Sequence, residues 1–312
     1  MKKGIFFFFI CIHFFGKLTA QDTTIIIDNR KLSLPEVFVR NNFDYKKVLQ
    51  QIKDDTTFYK AFKNLRILNY TSYNDIKMMD KKNAVKASLF SKTQQIRNNG
   101  CRTMNVLEEA VTGDFFDSKN NFNYLTGELY ASLFFTKGTI CGEDNIVSKS
   151  QISTSKKKGI DKHKEQLKML FFNPGKKIKG IPFIGDKLDL YDENAHKIYD
   201  YKLDIVEYKG SNCYLFSIKP KDNLGLFKKD NVVVDEMTTW FDIKTLEVLA
   251  RNYSLSYKAG VYDFDVTMEV EMTRFHHLIV PKILRYKGNW DVIFMKRESG
   301  VFTATLFNFK EE

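Results

Sequence analysis

The chain has 312 residues and a net charge of +11 at neutral pH, with 43% hydrophobic and 28% charged residues. These proportions are ordinary for a soluble globular protein, which excludes a wholly disordered chain and a helical membrane protein with many spans. The length suffices for one large domain or two modest ones, each with its own hydrophobic core.

The most specific signal lies in the first twenty residues. Two lysines precede an apolar run from Ile5 to Phe15, and a small residue, Ala20, ends the segment. This pattern is typical of a secretory signal peptide, and the apolar run is too short to span a bilayer. We therefore predict cleavage after residue 20, secretion across the inner membrane and residence in the periplasm or cell envelope. Cleavage would remove three lysines and no acidic residue, which leaves a net charge of +8.

Three cysteines follow the predicted cleavage site. Cys101 and Cys141 each neighbour a glycine at a turn-like place, so they are the candidate disulfide in an oxidising compartment. Cys213 lies in an alternating, strand-like run and is predicted to be a small buried hydrophobic residue.

The first half of the chain mixes helices with strands. Residues 21–43 are predicted to be an extended N-terminal lead-in, followed by a single domain over 44–312. Apolar residues at helical spacing predict one or two helices over 45–65 and further helices over 126–136 and 162–172. Strands in this half are predicted at 66–76, 84–93 and 101–109.

From residue 197 onward the hydrophobic period becomes two, which is typical of strands joined by glycine-containing turns. A sheet of this width curls or closes because strand twist accumulates. We therefore predict an α+β fold in which a large curled antiparallel sheet, a half-barrel, is covered on its concave side by a few short helices. The strands are predicted at 197–207, 212–219, 231–243, 246–258, 261–274, 277–286, 290–297 and 301–309.

One face of the two strands near 246–274 is apolar enough to line a ligand cavity. Methionine suits such a surface because its side chain adapts to varied apolar ligands. The alternative is ordinary core packing beneath helices, the usual fate of an apolar strand face. The predicted lining residues are Tyr253, Leu255, Tyr257, Phe264, Val266, Met268, Val270 and Met272.

Lysines concentrate in a polar stretch near 143–180, which is predicted to be an exposed basic loop. In an exported protein such a patch would meet anionic lipid headgroups or acidic polysaccharide rather than nucleic acid. The alternative is a solvated surface without a partner. The patch comprises Lys156, Lys157, Lys158, Lys162, Lys164, Lys176, Lys177 and Lys179.

The sequence contains none of the common catalytic or metal-binding motifs, such as H-E-x-x-H, G-x-S-x-G or a P-loop. An acidic row on one strand face is a candidate for calcium, although basic residues on neighbouring strands would pair with it equally well. We therefore predict a non-enzymatic protein with no cofactor and no metal; a hydrolase with an unrecognised site is the alternative. The acidic row comprises Asp263, Asp265, Glu269 and Glu271.

The order of elements resembles the periplasmic lipoprotein-carrier and outer-membrane lipoprotein-sorting family. A helix comes first, then long strands, helical insertions and a meander that contains Trp240–Val248 and Val280–Ile283. The resemblance implies a half-barrel that wraps around helices and shelters acyl chains, without catalytic residues. The predicted function is an exported envelope protein that binds or carries a lipid, acyl chain or lipoprotein. The alternative is a cell-surface structural or interaction subunit that docks through its basic loop.

Overall fold

The structure is a computed structural model that describes residues 23–27, 30–34, 45–147, 168–172, 174–178, 184–225, 230–258, 262–292 and 297–312. The predicted signal peptide and most of the predicted basic loop lie outside these residues. Within them the chain forms one thirteen-stranded sheet with short helices. No helix in this part of the chain is both long enough and apolar enough to cross a bilayer.

The α-helical segments among the described residues all precede the meander that begins at Tyr199, as the hydrophobic spacing predicts. The segment predicted at 45–65 forms two helices, because Asp55 accepts hydrogen bonds from the Thr57 backbone N–H at 2.7 Å and hydroxyl at 2.6 Å and so starts a new helix. Residues 168–172 are also helical. The α-helices are α1 (Tyr45–Lys53), α2 (Thr57–Asn64) and α3 (Leu125–Phe134), and 3₁₀ turns cover Leu65–Ile67 and Ala195–Lys197.

Two strands precede α1, three lie between α2 and α3, and eight follow α3. The first two come from the predicted lead-in and join the same sheet as the rest. The strands are β1 (Thr23–Ile27), β2 (Arg30–Leu34), β3 (Asn69–Met79), β4 (Val85–Asn98), β5 (Cys101–Thr112), β6 (Ile140–Cys141), β7 (Tyr199–Tyr208), β8 (Ser211–Pro220), β9 (Val234–Asp242), β10 (Val248–Lys258), β11 (Tyr262–Phe275), β12 (Leu278–Val292) and β13 (Glu298–Lys310).

The two halves of the chain meet where β13 pairs with β3. The strand order is β1-β2-β7-β8-β9-β10-β11-β12-β13-β3-β4-β5-β6, so the sheet is open, with β1 and β6 at its ends. This wide open sheet is consistent with the predicted half-barrel. It is mixed rather than purely antiparallel, because β2 runs parallel to β7.

One prediction about the meander is wrong. The hydrophobic pattern predicts separate strands at 277–286 and 290–297, but β12 continues through the glycine between them. Gly288 lies directly opposite Gly300 on β13, and the Tyr286 side chain covers Gly288: a Cβ there would stand 1.8 Å from the Tyr286 hydroxyl oxygen. Gly288 makes room for an aromatic ring within the sheet, where the sequence pattern suggests a turn.

Gly288→Ala should therefore lower the free energy of unfolding by about 1–3 kcal/mol, because the added methyl group overpacks a filled site. Tyr286 cannot yield easily, since its ring stacks on Phe302 at 4.5 Å between centroids with an interplanar angle of 9°. Gly225→Ala is the matched control, because a Cβ at Gly225 would meet nothing within 4 Å. Urea denaturation of both variants measures the difference, and equal midpoints would contradict this packing.

Helix α2 is fixed to the sheet by polar as well as apolar contacts. The Asn64 side chain donates to the Ile279 carbonyl oxygen of β12 at 2.7 Å, and the Thr57 hydroxyl accepts from the Val248 N–H of β10 at 3.0 Å. Arg251 of β10 reaches Asp55, at the start of α2, at 3.2 Å. These contacts hold the buried side of α2 against the middle of the sheet.

Candidate functional site

The structure brings the predicted apolar face together as one surface of β10 and β11. Tyr253 lies opposite Met268, Leu255 opposite Val266 and Tyr257 opposite Phe264. Seven of the eight predicted residues are buried, and Tyr257 is partly buried. The intervening side chains of β11 point to the opposite face, as period-two alternation requires. We call these eight residues the apolar row.

Side chains from short helical segments pack together above the sheet beside the apolar row. We define the aromatic cluster as five phenylalanines: Phe62 of α2, Phe134 of α3, Phe171 and Phe172 of segment 168–172, and Phe302 of β13. Ring centroids in this cluster lie 4.9 Å apart between Phe62 and Phe172 and 5.7 Å apart between Phe134 and Phe171. The Tyr253 hydroxyl donates a hydrogen bond to the Phe171 carbonyl oxygen at 3.0 Å. Segment 168–172 therefore attaches directly to the apolar row.

Two tyrosines, Tyr253 and Tyr286, place hydroxyl groups on this face of the sheet. Burial raises the pKa of both Tyr253 and Tyr286 well above the ordinary value of 10.0. Both hydroxyls therefore stay neutral at physiological pH. Each has a partner, because Tyr253 donates to Phe171 and Tyr286 accepts from the Trp290 indole N–H at 2.5 Å. The face combines apolar area with satisfied hydrogen bonds, as ligand-binding surfaces commonly do.

A small, partly open space of about 60 Å³ lies beside the aromatic cluster, and we call it the polar hollow. Phe62, Phe134 and Phe172 of the cluster form part of its lining. The remaining lining differs sharply in chemistry, because it carries positive charge and hydrogen-bonding groups. Its polar and charged lining includes Lys63 and Arg66 near the end of α2, Tyr70 of β3, Gln95 of β4 and Arg102 of β5.

Gln95 organises the polar hollow. Its amide nitrogen donates to the carbonyl oxygens of Leu65 and Leu68, each at 2.7 Å, and satisfies two acceptors that follow the end of α2. Its amide oxygen accepts from Arg102 and from the Thr136 hydroxyl, each at 3.2 Å. Gln95 thereby links the Arg102 guanidinium to the turn that follows α2.

Glu143 approaches the polar hollow from the loop after β6. Its carboxylate pairs with Arg66 at 3.1 Å and with Arg102 at 2.5 Å. Partial burial on its own would raise the pKa of Glu143. The Arg102 hydrogen bond and the charges of Arg102, Arg66 and Lys63 outweigh that effect, so the pKa lies below the ordinary 4.5. Glu143 is therefore an ionised counterion to the cations of the hollow.

The loop that carries Glu143 is attached at several points. The Cys101 and Cys141 sulfurs form a disulfide between β5 and β6 just before it. The Lys60 ammonium donates to the Asn145 carbonyl oxygen at 2.6 Å, and the Asn145 side chain donates to that of Asn64 at 2.8 Å. The segment after the disulfide is thus bound along α2. Cys213, the remaining predicted cysteine, is a buried free thiol.

Two lysines of the predicted basic patch lie within the described residues. Lys176 is largely enclosed: its ammonium donates to the Lys53 carbonyl oxygen and stands 4.7 Å from the centre of the Tyr191 ring. Lys177 is exposed and pairs with Asp186 at 2.6 Å. The other predicted patch residues, Lys156, Lys157, Lys158, Lys162, Lys164 and Lys179, lie outside the described residues.

The acidic row of β11 pairs with basic residues on neighbouring strands. Glu271 contacts Lys209 at 2.5 Å and Arg285 at 3.2 Å, and Glu269 contacts Arg285 at 3.4 Å. In the part of the chain that the structure describes, no three histidine, cysteine or acidic side chains come together in a way that would hold a metal ion. Glu269 and Glu271 of the row therefore form ion pairs on the surface of the sheet.

No family model matches the sequence, and no curated protein matches it. Among solved structures, a DUF1329 family protein from Desulfovibrio piger matches with 11% identity and a TM-score of 0.26, covering 82% of this chain and 92% of that chain. A Vibrio parahaemolyticus domain described as an outer membrane lipoprotein-sorting protein domain matches with 6% identity and a TM-score of 0.28, covering 83% and 93%. The latter carries the name of the family that the order of elements resembles. Both TM-scores lie below 0.5, so function has to be inferred from this chain's own residues.

Proposed function

We propose that this protein is an exported, non-enzymatic envelope protein that binds an acyl chain or a similar apolar ligand against the apolar row, beneath short helical segments on the concave side of the sheet. The observation that carries the proposal is the continuity of the row across two long strands, next to a cover made of side chains from short segments. The disulfide between Cys101 and Cys141 supports an oxidising compartment, in agreement with the predicted signal peptide.

The energetic balance supports replacement of part of the cover by a ligand. Burial of an acyl chain gains about 0.8 kcal/mol per methylene group, or about 8 kcal/mol for ten carbons. Exposure of one phenylalanine ring costs about 1.5–3 kcal/mol. A chain that displaces the Phe171 ring from the aromatic cluster therefore gains more apolar burial than it loses. Met268 and Met272 are buried in the row and adapt their shape to the incoming chain.

Native mass spectrometry of the protein purified from its own host tests the proposal. We expect adducts with lipid masses, which organic extraction removes and added dodecanoate restores. Met268→Gln should reduce adduct occupancy at least several-fold, because it places an amide in the row where the chain would lie. Thr267→Gln is the matched control, since the neighbouring Thr267 side chain is exposed on the opposite face of β11.

Circular dichroism must show that both variants remain folded, and Met268→Leu provides a row variant without a polar group. Folded wild-type protein that carries no adduct and takes up no dodecanoate would contradict the proposal. Equal losses of adduct occupancy in Met268→Gln and Thr267→Gln would show that the ligand binds away from the apolar row.

A further inference from the structure

We infer that the polar hollow binds the carboxylate of an acyl ligand while the chain of that ligand lies along the aromatic cluster. The inference rests on the proposed function and deepens it, because it assigns the ligand class as a carboxylate-bearing amphiphile and the hollow as the headgroup site. The juxtaposition that carries it is a cationic, hydrogen-bonding space that shares Phe62, Phe134 and Phe172 with an apolar cluster.

The charge of the hollow selects for an anion. Lys63, Arg66 and Arg102 line it, and among the described lining residues there is no acidic side chain. The side chains of Lys63 and Arg102 are mostly buried, at 6% and 13% exposure. Charges that are withdrawn from water interact more strongly than surface charges, so these two cations, together with the more exposed Arg66, favour an oxyanion in the hollow.

A free hydrogen-bond donor also faces this space. Tyr70 lines the hollow and is only 4% exposed, yet its hydroxyl has no hydrogen-bond partner among the residues that the structure describes. Burial raises the pKa of Tyr70 to about 12, so the hydroxyl keeps its proton. The hydroxyl is therefore a donor that an acceptor oxygen in the hollow would engage. The carboxylate of a ligand supplies such an acceptor.

Glu143 shows that these cations bind a carboxylate. Its carboxylate bridges Arg66 and Arg102 but does not itself line the hollow. The Asp144 carboxylate, which is more than half exposed, lies 3.7 Å from the Lys63 ammonium. Both carboxylates lie outside the lining of the hollow, so Lys63, Arg66 and Arg102 line it without an acidic side chain among the lining residues that the structure describes.

The size of the hollow fits a headgroup. A volume of about 60 Å³ holds roughly two water molecules, which is enough for a carboxylate group and too little for a chain. The chain would have to leave on the aromatic side, where the phenylalanine rings of the cluster form the lining.

Calorimetric titration with dodecanoate, dodecanol and acetate separates the contribution of the headgroup to binding from that of the chain. Each amphiphile is kept below its critical micelle concentration. We expect dodecanoate to bind wild-type protein at least tenfold more tightly than dodecanol, since hydrogen bonds to a charged group are the strong ones. Acetate should bind far more weakly than either. If acetate competes at the same concentrations as dodecanoate, the ligand is not an acyl compound, and the hollow is instead a binding site for a small free carboxylate.

Two variants test the named residues. Arg66→Met should abolish the preference for dodecanoate over dodecanol. Tyr70→Phe should weaken dodecanoate binding several-fold without loss of stability, because the hydroxyl has no partner to lose. Tyr73→Phe is its matched control on the same strand, where the side chain is exposed on the opposite face. Glu143→Gln should strengthen dodecanoate binding, because it removes a competing carboxylate.

The outcomes separate this inference from the function on which it rests. Equal binding of dodecanoate and dodecanol, unchanged by Arg66→Met and Tyr70→Phe, would overturn the headgroup site and leave apolar binding intact. Failure of both amphiphiles to bind folded protein would overturn the proposed function as well.

Discussion

Asp55→Ala is expected to lower the free energy of unfolding by about 3–5 kcal/mol, because it leaves a buried guanidinium without its counterion. The Asp55 and Arg251 side chains are only 5% and 9% exposed. The Arg251 guanidinium also lies 4.5 Å from the centre of the Phe58 ring and donates to the Thr239 hydroxyl at 3.0 Å. Removal of Asp55 would additionally take away the hydrogen-bond acceptor at the start of α2.

Chemical denaturation in urea measures this loss, and Arg285→Met is the control. Arg285 also pairs with carboxylates, Glu269 and Glu271, but its side chain is about half exposed, so the variant should cost no more than about 1 kcal/mol. Similar destabilisation by both variants would show that the Asp55–Arg251 pair has no special role in fixing α2 to the sheet.

The disulfide variant Cys101→Ala/Cys141→Ala is expected to lose about 4 kcal/mol of unfolding free energy, because the bond closes a loop with a sequence separation of 40 residues. The bond also holds β6 at the edge of the sheet and the start of the segment that carries Glu143. We therefore expect the same variant to loosen the contacts of Glu143 with Arg66 and Arg102.

Denaturation with and without a reducing agent checks this expectation. The reductant should shift the unfolding midpoint of the wild-type protein to that of the double alanine variant and leave the variant unchanged. Cys213→Ala serves as the control, since Cys213 is a buried free thiol whose loss changes packing only. A wild-type midpoint that does not respond to the reductant under unfolding conditions would contradict a closed disulfide.

Local pattern accounts for much of the sheet. The alternation along β11 is sufficient to predict the apolar row, because a strand that is buried on one face must place apolar residues at every second position. The same reasoning fails at Gly288. Glycine between two apolar runs is typical of a turn, whereas here the Tyr286 ring occupies the space that a side chain would take.

The polar hollow could not be predicted from local pattern, because its residues come from separate parts of the chain. Lys63 and Arg66 lie at and just after the end of α2, Gln95 and Arg102 lie on β4 and β5, and the topology of the sheet brings them together. A weak signal is present, since α2 places Lys63 and Asn64 next to buried apolar residues at its end. Adjacent buried polar residues in a short amphipathic helix indicate partners elsewhere in the fold.

Photo-crosslinking tests the central claim most directly. A fatty acid with a diazirine near its methyl end is bound to the wild-type protein and the complex is irradiated. Peptide mass spectrometry then identifies the labelled residues. We predict labels on inward-facing residues of β10 and β11, such as Val266 and Met268, and on segment 168–172. Labels confined to the outward-facing side chains, such as Thr267 or Thr303, or an absence of labelling in folded protein, would contradict ligand binding at the apolar row.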